Sequence, residues 1–486
     1  MRWWTTVCAV LVACGGRAEA SCNWTPTELL RLTGEVQQGD LSGPFSRTAA
    51  PASGRFAETI NLGTLSMATG FDGRLAWSRD FSGASHYLNS DFARRLATSE
   101  AWLIAHLACT RRVGTDVLHF TPSGGASMEL TYDRRTGRLD RAMLQYPENR
   151  LIHHYADWRE VAPGRFLPFS QRDEDPEDES ETVYKVNHVA RVKSASFAPP
   201  PLPHDSRIIG GGSTTIPFED DSRRRVFLSV YLNGKGPFAF ELDNGGHFIL
   251  TEETAAALGL APEGSFTSTG AGSEVRHGGY ARIARLRVGD AEMVNQPAKV
   301  MALSHNDRGK LLPRAGILGL EFFERFIVGI DHRTKTVTLR MIGDSPRNYP
   351  GHALPLLFDQ DAALGAGSFD GVEGNVMLDI GNAGPTIIED YWASAHGFRS
   401  MLASGTPRGD AKLSKGSVGI GRFILDGETV EYFGPVERGS EYTRSIAAVL
   451  GEPLLSRFNA VYDYGRGKVW LDPLPEVKPL SFEKRQ

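Results

Sequence analysis

Apolar and polar residues alternate with a period of two through much of the first third of the chain. The segments ETINLGTL, RLAWSRDF, DVLHFTP, SMELTYD and RAMLQYP are separated by Gly, Pro and Asp turns. That pattern predicts short half-buried strands. Trp102–Cys109 (WLIAHLAC) is an unbroken apolar stretch that fits a helix or a buried strand, and periodicity does not separate the two. Thr25-Pro26-Thr27-Glu28 has the form of a capping box with proline at the first helical position, which predicts a short helix. The acidic run Gln171–Glu181 predicts a solvated hairpin tip. Phe197–Pro203 (FAPPPLP) reads as a stiff linker, and the Gly-rich IIGGGSTTIPF after it as a flexible entry or a strand edge.

Beyond the linker the pattern repeats. Arg325-Phe326 leads through Asp331-His332 to Val337 and Leu339, and Arg457-Phe458 leads through Asp463-Tyr464 to Val469 and Leu471, at identical offsets. Each copy predicts a β-hairpin. Gly316-Ile317-Leu318-Gly319 precedes the first and Val449-Leu450-Gly451 the second. About 75 residues further upstream, each copy carries an Asp-x-Gly wedged between apolar runs: Asp243-Asn244-Gly245 and Asp379-Ile380-Gly381. A short helical segment ending in glycine follows each turn. The second half is therefore two copies of one β-rich lobe.

A duplicated lobe implies a pseudo-twofold axis that brings Asp243 and Asp379 face to face. Two carboxyls that close share one proton, and their titrations split. The ionised group can take a proton from water while the neutral one donates to a carbonyl oxygen, which is hydrolysis without a covalent intermediate. The glycine after each Asp lets the backbone turn tightly beside the partner.

Composition narrows the field. With 486 residues the chain is long enough for two or three domains, and a net charge of −5 without a basic stretch excludes nucleic acid as the expected partner. The start differs: Arg2, a short apolar run and small residues read as an export signal too short to span a bilayer. Ala18-Glu19-Ala20 fits one cleavage site. Leu11-Val12-Ala13-Cys14 fits a lipobox with Cys14 lipidated, and the two exits stay open. Either leaves Cys22 and Cys109 as a candidate disulfide in an exported protein, with two separate thiols as the alternative. No His-Glu-x-x-His or Gly-x-Ser-x-Gly occurs, so zinc-protease and serine-hydrolase readings lack support. His247, beside the first turn, reads as a surface histidine.

The paired Asp-x-Gly turns and the apolar-apolar-Gly elements resemble the aspartic peptidases of pepsin/retropepsin type, over roughly residues 207–475. The resemblance implies a bilobed β-barrel fold, a peptide or protein substrate, catalysis by Asp243 and Asp379, and no cofactor or metal. In that family a Thr or Ser usually follows each Asp and its hydroxyl bonds across the lobes. Here Asn244 and Ile380 hold those places; Asn244 can donate and accept, and Ile380 needs an apolar site. The expectation is that Thr at 380 would tighten the turn. The resemblance also implies a Gly-rich flap, with Gly270, Gly272 and Tyr280 as its candidates in Thr267–Ile283. Upstream, GFDGRLAWSRD, YDRRTGRLDR and YADWREVAPGRFLPFSQR resemble the LolA-like lipoprotein-carrier half-barrels, implying a curved antiparallel sheet with an apolar concave face.

The expected architecture is thus mainly β. It comprises a signal (1–20, or 1–13 for a lipoprotein), a half-barrel (21–197), a linker (198–206), two peptidase lobes (207–345 and 346–475) and a tail (476–486). The expected function is an exported aspartic endopeptidase, periplasmic and possible to anchor by a lipid. A catalytically degenerate peptide- or lipid-binding envelope protein is the alternative.

Overall fold

The computed structural model describes residues 24–108, 116–145, 150–176, 180–269, 275–303, 313–344, 346, 348–359, 362–435 and 446–475. The stretch expected to be an export signal, Cys14, Cys22, Cys109, Gly270 and Gly272 lie outside these residues. Within them the chain is mainly β, as the alternation predicts.

Residues 29–192 form one twelve-stranded antiparallel sheet. Two meanders are joined where strand Leu29–Gln38 pairs with Ser180–Val192. The five predicted alternating segments all carry strands of this sheet. Trp102–His106 of the ambiguous WLIAHLAC stretch closes the helix Asp91–His106, capped by the Ser90 hydroxyl accepting from the Ala93 N–H. Helix residues Phe92, Leu96 and Leu103, with Leu107 just past the helix, face strand residues Phe56, Trp77, Leu151 and Tyr155 across a cavity of about 260 Å³. The acidic run flanks the tip of the hairpin formed by Arg165–Asp175 and Ser180–Val192.

The helix expected at Thr25 does not form: Leu29 already opens a strand. Glu28 is used differently. Its carboxylate accepts from Arg165 at 2.9 Å and pairs with Arg191 at 3.1 Å, so a tertiary ion pair outcompetes the local cap.

The linker is docked. Trp77 Nε1 donates to the Phe197 carbonyl at 2.7 Å, and the Arg55 guanidinium lies over the Phe197 ring. The Gly-rich entry supplies two edge strands, Ser206–Ile208 on a nine-stranded sheet and Ser213–Pro217 on a thirteen-stranded one.

The two sequence copies fold alike. Strand Lys235–Leu242 runs parallel to Arg314–Leu318, pairing Leu242 with Leu318. Strand Val372–Leu378 runs parallel to Ile446–Leu450, pairing Leu378 with Leu450. Short strands Ile249–Leu250 and Thr386–Ile388 then lie antiparallel to Arg314–Leu318 and Ile446–Leu450 respectively. The repeated hairpins meet: Val328 faces Tyr462, Gly329 faces Val461 and Ile330 faces Ala460. Val328 and Ile330 occupy the repeat positions of Ala460 and Tyr462, so the pairing maps onto itself when the copies are exchanged. One apolar core runs through both copies, from Phe240 and Leu242 to Leu378, Phe458 and Tyr462. The N-terminal sheet keeps its own clusters. Among the described residues no helix is long and apolar enough to cross a membrane.

Candidate active site

Each Asp turn leaves its strand at the same point. The Asp243 N–H donates to the Leu318 carbonyl and the Asp379 N–H to the Leu450 carbonyl, both at 3.0 Å. The parallel strand of each copy therefore fixes the depth of its aspartate. Behind each turn sits the expected glycine. A Cβ at Gly319 would strike the Gly246–His247 backbone, and one at Gly451 would strike Gly384 and Asn382.

The two carboxyls meet. A Cβ at Gly245 would come within 2.6 Å of the Asp379 carboxyl, and one at Gly381 would collide with the Asp243 carboxyl. Each glycine thus makes room for the acid of the other copy. Asp243 and Asp379 share a side-chain hydrogen bond.

Their surroundings differ. Asp379 Oδ1 accepts the N–H groups of Gly381 and Asn382 at 2.9 and 3.0 Å. Asp243 Oδ1 accepts one, from Gly245 at 2.8 Å. Burial raises both above the ordinary carboxylate range. The Asp379 charge and the nearby Glu241 push Asp243 further, while the backbone donors and the bond from Asp243 restrain Asp379. Two backbone donors at Asp379 against one at Asp243 favour the charge on Asp379 and the shared proton on Asp243. Glu241 is itself buried and pairs with Arg225, at 3.2 Å, and with Arg314.

The residues after the aspartates divide their labour. Asn244 Nδ2 donates to the Leu378 carbonyl at 2.7 Å and to the Tyr464 hydroxyl at 3.0 Å, and its Oδ1 accepts the Ile380 N–H at 3.1 Å. One amide makes the cross-copy bonds that two hydroxyls were expected to make. Ile380 is 2% exposed and belongs to the main core, the apolar site it was expected to need. Thr at 380 would place a hydroxyl there, so the expectation that it tightens the turn is replaced by one of lost packing. Asn382 serves its own loop, accepting from the Gly384 N–H at 2.8 Å and donating to the Pro385 carbonyl at 3.3 Å.

Tyr464 is a partner that the sequence reading placed only as a repeat aromatic in a hairpin turn. Its pairing partner is 220 residues away. The signal was present in the repeat, where His332 takes the equivalent place. Burial and the Arg224 charge drop His332 to about 4, and burial raises Glu452, 3.4 Å away. Two groups that burial pushes toward their uncharged forms are thus in contact.

Tyr280 lies in strand Val275–Val288, opposite Lys299 and Glu263. Its ring packs on Phe266 and on Phe81 of the N-terminal segment, at 5.1 and 6.1 Å. The hairpin is pinned from that side. Thr64 donates to Glu263 at 2.8 Å, and Asp40 accepts the Ser265 N–H at 3.0 Å.

His247 is not a surface residue. Its Nδ1 lies 2.8 Å from Glu321 Oε1, and its ring is 4.7 Å from that of Phe81.

Residues 228–322 match the family model described as Aspartyl protease, a stretch that holds Asp243 and Gly319 but ends before Asp379. Over that stretch the chain is similar to aspartyl proteases. The aspartic proteinase from Irpex lacteus is similar at 13% identity and a TM-score of 0.37, covering 54% of this chain and 98% of that one. No curated protein sequence matches the chain.

Proposed function

We propose that the protein is an exported aspartic endopeptidase with two lobes, here residues 207–345 and 346–475, behind an N-terminal carrier-like half-barrel. The observation that carries the reading is the reciprocal fit of Gly245 to the Asp379 carboxyl and Gly381 to the Asp243 carboxyl. A dyad with one proton needs that close approach, and a merely structural turn does not. The similarity of residues 228–322 to aspartyl proteases supports the same reading.

The chemistry follows from the asymmetry. Asp379, held ionised by two backbone N–H groups, takes a proton from a water between the carboxyls. The water oxygen bonds to the peptide carbonyl carbon as Asp243 passes its proton to the carbonyl oxygen. The resulting gem-diol collapses: the C–N bond breaks, and the leaving nitrogen takes the proton held by Asp379. A carboxylic acid and an amine leave, and the second diol proton returns to Asp243. No cofactor enters the balance.

The test is cleavage of a peptide library by the purified mature protein across pH, with and without a pepstatin-type inhibitor. Pepstatin-sensitive cleavage that Asp243→Asn and Asp379→Asn each abolish is the expected result. Cleavage that survives Asp379→Asn would assign the activity elsewhere. Peptide binding without cleavage at any pH would favour the degenerate binding protein.

A further inference from the structure

Beside the first turn, two parts of the chain far apart in sequence bring acids and an imidazole into one buried place. Glu321 is 1% exposed. Its Oε1 lies 2.8 Å from His247 Nδ1, and its Oε2 accepts the Phe248 N–H at 2.7 Å. Asp80, just past strand Ala76–Arg79 of the N-terminal sheet, reaches the same spot. One donor atom each from Asp80, His247 and Glu321 lies within 4.8 Å of the others.

Asp80 is 8% exposed. Its Oδ1 accepts the Ser82 N–H and hydroxyl at 2.8 and 2.6 Å, whereas its Oδ2 is buried with no hydrogen-bond partner among the described residues. Glu324, equally buried, also has an oxygen in that condition, Oε2. A buried carboxylate oxygen left without a donor is costly, on the order of 1–3 kcal/mol or more. His86 meets only the other Glu324 oxygen, Oε1, at 3.2 Å, and the adjacent guanidinium does not relieve Asp80. Arg325 spends its guanidinium on both Asp205 oxygens, on the Ser82 hydroxyl and carbonyl, and on the Glu321 carbonyl. The pocket has more carboxylate than its cations neutralise.

We propose that Asp80, His247 and Glu321 are three ligands of a divalent transition-metal site, of the type Zn²⁺ fills, that fastens the N-terminal sheet to the first aspartate turn. One imidazole and two carboxylates are a donor set that Zn²⁺ accepts at about 2.0–2.2 Å, and a spacing below 4.8 Å lets one ion touch all three after small side-chain shifts. Imidazole disfavours Mg²⁺ and Ca²⁺, which prefer all-oxygen shells. The Ser82 N–H and hydroxyl orient Asp80 through Oδ1 and leave Oδ2 for the metal, the arrangement expected of a supporting shell. His247 stands four positions after Asp243, so an ion here holds the turn that carries the first aspartate.

The test uses the full mature protein stripped with chelator and titrated calorimetrically with Zn²⁺, with Co²⁺ absorption as a second readout. One equivalent of Zn²⁺ should bind and raise Tm, and Co²⁺ should give a visible band. Asp80→Asn keeps an oxygen for Ser82 and should fold, yet weaken Zn²⁺ by about tenfold or more. His247→Gln should remove the Co²⁺ band. If folded wild-type protein shows no saturable Zn²⁺ binding, the proposal is wrong. Binding unchanged in both Asp80→Asn and His247→Gln would place the ion elsewhere and overturn it equally.

Discussion

The two copies share a backbone and differ in what they hold. Arg325 of the first is fully buried and clamps Ser82 and Asp205, whereas Arg457 of the second pairs with Glu428 at 2.6 Å and is 37% exposed. After the aspartates, the first turn carries a polar Asn244 and the second an apolar Ile380. The contrast teaches that duplication preserved the frame while the polar work moved to one side. The first copy clamps the N-terminal sheet through a buried arginine and makes the cross-copy bonds, while the second meets that sheet through the Phe358 backbone, bonded to Asn89 at 3.0 and 2.7 Å. The second supplies carbonyl, amide and core. A symmetric pair of hydroxyls is one solution to locking two turns, and a single three-bond amide is another.

The dyad breaks the comparison most severely. Asp243→Asn and Asp379→Asn should each lower kcat by about 10³-fold or more, although the two differ in stability. A carboxyl whose titration is raised on folding costs stability as pH climbs from the unfolded value toward the folded one. Asp243→Asn removes that cost, so it should be inactive yet no less stable than wild type near neutrality by thermal melting. Burial of both carboxyls places the rate maximum on a bell whose limbs belong to the pair and lie above the ordinary carboxylate range. A pH–rate profile peaking below pH 4 would contradict this.

Next come the arginines. Arg325→Met leaves Asp205 beside the linker without its main cation and should cost about 3–5 kcal/mol by urea unfolding. Arg457→Met breaks a partly exposed pair and should cost about 1 kcal/mol or less. Equal losses would mean that the attachment to the N-terminal sheet carries no special weight.

Asn244→Ala strands the Ile380 N–H and the Leu378 carbonyl in the interior, for about 2–4 kcal/mol and a large fall in kcat with KM little changed. Asn244→Thr should recover part of both. The smallest effect belongs to the other turn. Ile380→Val should cost about 1 kcal/mol with near-normal kcat, and Ile380→Thr more, because it buries a hydroxyl in the core.

Much of this was legible in the sequence because its causes are local or repeated. Strand alternation, the paired Asp-x-Gly turns and the glycines behind them each follow from a short-range rule applied twice. Asn244 announced itself by chemistry, as an amide where a hydroxyl was expected. What stayed hidden depends on distant contacts. Glu28 looked like a cap until Arg165 arrived from 137 residues along the chain. His247 looked exposed because Phe81 and Glu321, its covers, lie 166 and 74 positions away. No periodicity encodes such meetings; they appear only when separate sheets pack.

The seam between the hairpins, where Val328 faces Tyr462, also sets an order of events on the ribosome. The first aspartate turn is synthesised long before its counterpart, and Asn244 waits for both Leu378 and Tyr464 before its amide has anything to bond. A nascent chain that has emerged only as far as the first hairpin owns one acid and half a seam. Domains emerging early fold first, while contacts between distant segments form late. The two acids and the amide that locks their turns are therefore assembled only when nearly the whole chain has emerged.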